Sequence, residues 1–392
     1  NRFEVGSGGL EVGGDAGAEN GTFTMTDVAV DGPLEIGAGG GATNGTFTMT
    51  DVKAGGALTI GGGGGASGGA FTMRTVTSGG QLEIGRFAGY DGSFAMETVD
   101  VTSGNLEVGD NAGAVKGTFR MDTVTVSNGY LDLGDDVGGD PTDSGDGGTA
   151  TLTNITTGDS LSIGNNAGRD RGAFTMEDVV AAGSLGIGRL AGNEGTFTME
   201  NVSSGGDLEI RFGAGENSGS FTMSSVTSGG TLEIGDNAGR TDGSFEMSQV
   251  SSEKTFRVGL AAGREGTFTM RGVEVSSGDL IIGEFAGEDG SFTMKKVSAT
   301  GNVTIADKAA WQNGSFTMQE VTSGGTLTIG RFAGNTSGSF SMRKVTSGGT
   351  LTVGKDAGGA FGSFTLADLT AGESFKIGAS AGEVDGSFTM KD

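Results

Sequence analysis

The chain has 392 residues, 82 of them Gly and only 2 Pro, with 24 Lys and Arg against 49 Asp and Glu for a formal charge of −25. Collagen is excluded, because it needs a Gly-X-Y triplet and Pro, and so is disorder, because 23 Phe and 14 Met sit among regularly placed Val, Leu and Ile. Such an acidic surface repels phosphate backbones and anionic lipid, and without Cys or His there are no disulfides, no thiol chemistry and no imidazole base or metal ligand.

The chain opens inside a repeat: Asn1-Arg2-Phe3-Glu4-Val5-Gly6-Ser7-Gly8-Gly9-Leu10 reads as its second part. From there the phrase Gly-Ser/Thr-Phe-Thr-Met returns with Phe23, Phe47, Phe71, Phe94 and Phe119 in one column. Ala150 fills the sixth place, and the column resumes at Phe174 and runs to Phe388. Steps are 23 to 25 residues, apart from one of 31 between Phe119 and Ala150. Every Met lies two places after this column, with Leu152 and Leu366 filling the two gaps. A residue type confined to one column of a repeat has one structural job.

Within a coil, two segments alternate with period two. Phe221 and Met223 face one side, as do Leu232 and Ile234, while Val226 is a third inward candidate. Gly pairs supply the corners. Strands this short cannot make a sheet alone, but stacked on their own copies they form ladders about 4.8 Å apart. The expectation is an all-β fold: a single parallel β-solenoid, or β-helix, spanning residues 1–392 in about sixteen coils of about 24 residues. Right-handed winding is expected from the bias of parallel crossovers. The core ladder is assigned to Phe221, Met223, Phe245, Met247, Phe268 and Met270.

The long step holds an acidic insertion at 135–147. Asp135, Asp136, Asp140, Asp143 and Asp146 stand among Gly and Ser and could wrap oxygen ligands around Ca²⁺, although the EF-hand order is absent. The other reading is a solvated loop with no cofactor. Between Leu and Ile the outward position carries Glu11, Glu35, Glu83, Glu107 and Asp132, then Glu209 and Glu233. Such like charges either splay into water or share divalent cations.

Beside the Phe column lies a Ser/Thr surface ladder, unbroken over the last six coils: Thr267 and Thr269, Ser291 and Thr293, Ser315 and Thr317, Ser339 and Ser341, Ser363 and Thr365, Ser387 and Thr389. Thr is a safe outward residue on any sheet, but a Thr-x-Thr lattice on a solenoid also resembles the face of several ice-binding proteins. Ala70, Ala95, Arg120, Ala173 and Glu246 interrupt it elsewhere. Trp311, the only Trp, reads as the cover of a core edge or a stacking platform. Arg86, Arg189, Arg211 and Arg331 are too scattered for a polyanion stripe.

The phrase Leu-Glu-Ile-Gly-Asp-Asn-Ala-Gly at 232–239, followed by Gly-Ser-Phe-Glu-Met at 243–247, resembles the repeats of bacterial secreted parallel β-helix proteins, the autotransporter passengers and large surface adhesins. The chain departs from them in its Phe-x-Met pair and its strict period. The resemblance implies an extracellular or cell-surface structural or adhesive protein, with surface glycans among its partners. No enzyme is expected, since no acid–base cluster or cleft-forming irregularity stands out. The chain stops inside a coil, and neither end has a cap. This suggests either a window on a longer array or self-association head to tail, as in a filament, sheath or stalk.

Overall fold

The computed structural model describes residues 2–17, 19–41, 43–140, 147–383 and 385–391. The fold is an all-β parallel solenoid of about sixteen coils, with no helix among the described residues. These residues group into two compact units, Asn1–Gly205 and Gly206–Asp392. Both are built from the same coil: a nine-residue strand such as Thr46–Ala54 or Ser220–Ser228, a three-residue strand such as Leu58–Ile60 or Leu232–Ile234, and a turn leading to the next coil.

The long strands pair with one another, parallel and in register, so each side chain stacks on its own copy; in one coil the long strand is split into Ser93–Met96 and Val99–Val101, which keep the same register. Phe47 pairs with Phe71 and Met49 with Met73 in unit 1, and Phe221 with Phe245 and Met223 with Met247 in unit 2. The rings of Phe47 and Phe71 lie 4.6 Å apart at 5°, and those of Phe221 and Phe245 lie 4.8 Å apart at 2°. Each such pair contributes about 0.5–1.5 kcal/mol beyond the area it buries. Phe221, Met223, Phe245, Met247, Phe268 and Met270 are all fully buried, as the repeat predicts.

The long strand does not keep strict alternation. Phe221, Met223, Val226 and Ser228 point inward, so the step from Met to Val is three rather than two. The cause is Ser225, held at φ 54°, whose left-handed backbone bends the strand and leaves two neighbouring side chains outside. Asp27, Asp51, Asn154, Asp178 and Asn201 hold the same bend in unit 1, and Gly272 does so in unit 2. Asn, Asp and Gly tolerate this conformation best, which explains how often they fill the column.

Gly is needed most where two backbones touch. The Gly preceding Ser/Thr-Phe has no room for a methyl group: a Cβ on Gly314 would lie 1.7 Å from the Gly287 carbonyl oxygen, and one on Gly148 would lie 1.8 Å from that of Gly113. The inward Ser column closes on the coil before it. Ser252 Oγ donates to the Gly230 carbonyl at 2.9 Å, and Ser347 Oγ to that of Gly325 at 2.9 Å. Buried hydroxyls are thereby satisfied by backbone.

Candidate functional site

With the interior filled, the chemistry available lies on the outward columns. In unit 2 the Ser/Thr ladder is in register throughout. Thr267, Ser291, Ser315, Ser339, Ser363 and Ser387 form one row, and Thr269, Thr293, Thr317, Ser341, Thr365 and Thr389 the other. Unit 1 holds shorter pieces of the same lattice, where Thr46 Oγ1 donates to Thr22 Oγ1 at 3.1 Å.

The carboxylate column forms as well. Glu83, Glu107 and Asp132 stack directly and, with Arg86 and Asp110, line a shallow groove of about 300 Å³. Tyr130 donates its hydroxyl to Glu107 Oε1 at 2.6 Å, and that bond holds the phenol above its usual range. In unit 2, Glu209 stacks on Glu233, and Glu233 on Arg257.

At the start of the acidic insertion the carboxylates hydrogen-bond between coils. Asp135 Oδ1 accepts from the Asn165 backbone N–H at 2.7 Å and from its Nδ2 at 3.2 Å, while Asp110 Oδ1 accepts from the Asp135 N–H at 3.1 Å. Asp110, Asp135 and Asn165 therefore form a side-chain ladder that ties one coil to the next. Asp307 Oδ1 does the same for the Arg331 N–H in unit 2, at 2.7 Å. Asp136 is left-handed at φ 60°, and burial pushes its carboxyl up against the opposing hydrogen bond from Asn166. Asp140 is buried. Asp143 and Asp146 lie outside the described residues. Among the described residues no group of three or more acidic side chains is placed to hold a metal ion.

One cluster escaped the sequence reading. The residue after the turn Gly is charged in four successive coils of unit 2: Glu216, Arg240, Arg264 and Glu288. The Glu288 side chain is only 1% exposed, with its Oε2 2.9 Å from Arg264 Nε, and Glu216 lies 3.9 Å from Arg240. The closer pair is in contact but not aligned as a hydrogen bond. Burial outweighs the guanidinium in both cases and holds the Glu216 and Glu288 carboxyls above their ordinary values.

Trp311 takes the next place in this column, against Phe285 at 6.2 Å, with Lys308 Nζ over the two rings at 4.4 Å from Phe285 and 5.1 Å from Trp311. It packs as an edge cover whose neighbours come from its own unit. Of the scattered Arg, Arg331 holds Asp307 at 2.6 Å, Arg211 holds Glu209 at 3.2 Å and Arg86 holds Asp110, so each is tied to an acidic neighbour. Comparison with family models, with curated proteins and with solved structures finds no match to the chain.

Proposed function

We propose that the protein is an extracellular structural or adhesive repeat protein, a surface filament, sheath or adhesin stalk of the kind its Leu-Glu-Ile-Gly phrase resembles, and that it associates with copies of itself. The observation that carries this reading is the register of the coils. Long strands pair column for column with similar strands, mostly about 24 residues away, for instance Ser291–Ala299 with Ser315–Ser323. The edge of such a coil accepts another coil by the same hydrogen bonds, and that applies equally to a coil of a second molecule.

Light scattering across a concentration series tests the proposal. The mass should grow with concentration, whereas a constant monomer mass at every concentration would contradict it. Calcium enters as a modifier through the acidic loop: a bound ion raises the melting temperature and a chelator lowers it. Identical melting curves with and without chelator remove the ion.

A second reading rests on the unbroken Ser/Thr rows of unit 2, a lattice for ordering surface water and so for binding ice. Thermal hysteresis that disappears in Thr293→Tyr and Thr317→Tyr would support it. The unmodified protein showing none would end it.

A further inference from the structure

The two residues at the left-handed bend of the long strand lie on the outer side of the coil, and their charge is predominantly acidic in unit 1, where Arg74 is the exception, and predominantly basic in unit 2. In unit 1 the bend carries Asp27, Asp51, Glu177, Asp178 and Glu200, all exposed and without a cationic partner among the described residues. Two further carboxylates there are already occupied, Glu97 by Arg74 at 2.9 Å and Asp122 by Arg120 at 2.7 Å. In unit 2 the same positions carry the exposed Arg271, Lys295, Lys296, Arg343 and Lys344, with the carboxylates Glu320 and Asp368 among them. Lys344 lies 3.7 Å from Glu320, and Arg343 lies 3.7 Å from Asp368, but Arg271, Lys295 and Lys296 have no acidic partner among the described residues.

This sorting brings the fold no stability. Glu177 stacks directly on Glu200, and Arg271 on Lys295, and like charges in register destabilise a parallel ladder. Nor does composition explain it. In a chain of charge −25, adjacent Lys295 and Lys296 and adjacent Arg343 and Lys344 concentrate cations in one outward column of one unit. Stacked cations on one surface and stacked carboxylates on another, at the same place in the repeat and with the same coil spacing, are complementary in sign and period. Such complementarity sets register and orientation between partners, and because rim charges are screened it makes association depend on salt.

We propose that the acidic bend column of unit 1 in one molecule docks on the basic bend column of unit 2 in a second copy of this chain. The contact rests on the self-association proposed above and supplies it with a lateral interface distinct from the pairing of coil edges. Every molecule carries both columns, so each copy can act as donor and as acceptor.

The test exchanges residues that the repeat already accepts at these positions. Glu177→Lys with Asp178→Lys makes the unit 1 bend basic, and Lys295→Glu with Lys296→Asp makes the unit 2 bend acidic. All four side chains point outward, and circular dichroism checks that the coil is intact. Sedimentation velocity of the full chain at low salt then measures assembly. Each double variant alone should associate about tenfold or more weakly than the parent, and an equimolar mixture of the two should recover assembly, because it restores opposite charges across the contact. Assembly of the parent should weaken in roughly 0.5 M salt, where screening is strong. Variants that assemble like the parent, or a mixture that fails to recover, would overturn the interface while leaving self-association standing. A parent that stays monomeric overturns both. So does a monomeric parent whose basic column retains heparin, which would make a polyanion the occupant.

Discussion

In unit 1 the Phe column is interrupted at Ala150, and the stack loosens as it approaches the gap. The rings of Phe94 and Phe119 lie 5.7 Å apart at 17°, whereas those of Phe268 and Phe292 in unit 2 lie 4.7 Å apart at 9°. Unit 2 keeps its Phe column whole from Phe221 to Phe388 and buries Glu216 and Glu288 at the turn, where unit 1 has Ala66, Ala114 and Gly139 but also Arg169, paired with the buried Asp170 at 2.8 Å. Unit 1 thus relaxes the Phe column, and both units admit charge at the turn. Columns can vary separately because each touches mainly its own copies in the neighbouring coils, so an irregularity stays local. The positions that neither unit relaxes are those where backbone meets backbone.

Those positions give the largest expected effect. Gly314→Ala in unit 2 and Gly148→Ala in unit 1 each drive a methyl into a carbonyl oxygen, and both should cost at least about 3 kcal/mol, read from chemical denaturation. Similar losses in the two units would show that the contact is common to the coil. The next effect separates the units. Phe292→Ala removes a ring stacked on both faces and should cost about 3–5 kcal/mol, while Phe119→Ala, stacked on Phe94 but facing Ala150, should fall at the low end of that range.

Acidity should sharpen the contrast. Burial raises the Glu216 and Glu288 carboxyls, so folding favours their protonated forms. Their favourable contribution is complete below the ordinary Glu value and is lost as pH rises through their raised folded values. Lowering the pH from neutral toward the ordinary carboxylate range should therefore raise the melting temperature, and Glu216→Gln with Glu288→Gln should flatten that rise. An unchanged slope in the double variant would mean that these two groups do not govern it. Asp307 works in the opposite sense. Its hydrogen bond from Arg331 holds it below the usual range, so its contribution is lost only as pH falls through that lowered value. The smallest effect is a gain: a methyl on Gly186 meets nothing within 4 Å, and Gly186→Ala in unit 1 should stabilise by about 0.5–1 kcal/mol.

The coil was legible because Phe, Met, Leu and Ile each keep to a column, and a fixed column implies a fixed neighbour. The bend was harder to see. Ser225, Gln249, Lys296 and Glu320 all adopt the left-handed conformation without being residues that announce it. The readable signal was the constant three-residue step from Met to Val, which breaks period two. Asp135 also accepts hydrogen bonds from the next coil, a role that the composition of an Asp-rich loop does not announce. The signal for that role is its alignment with Asp110 and Asn165 in one column. Glu288 and Arg264 gave no warning, because a charged residue after a Gly turn normally points into water. The charge sorting at the bend appears only when the repeats are read down a column rather than along the chain.

Electron microscopy of the purified chain, from dilute to concentrated and at low and high salt, tests most directly whether these columns serve assembly. Filaments or ordered arrays that build up with concentration and thin out in high salt are the predicted result. Single, unassociated particles under every condition would contradict it.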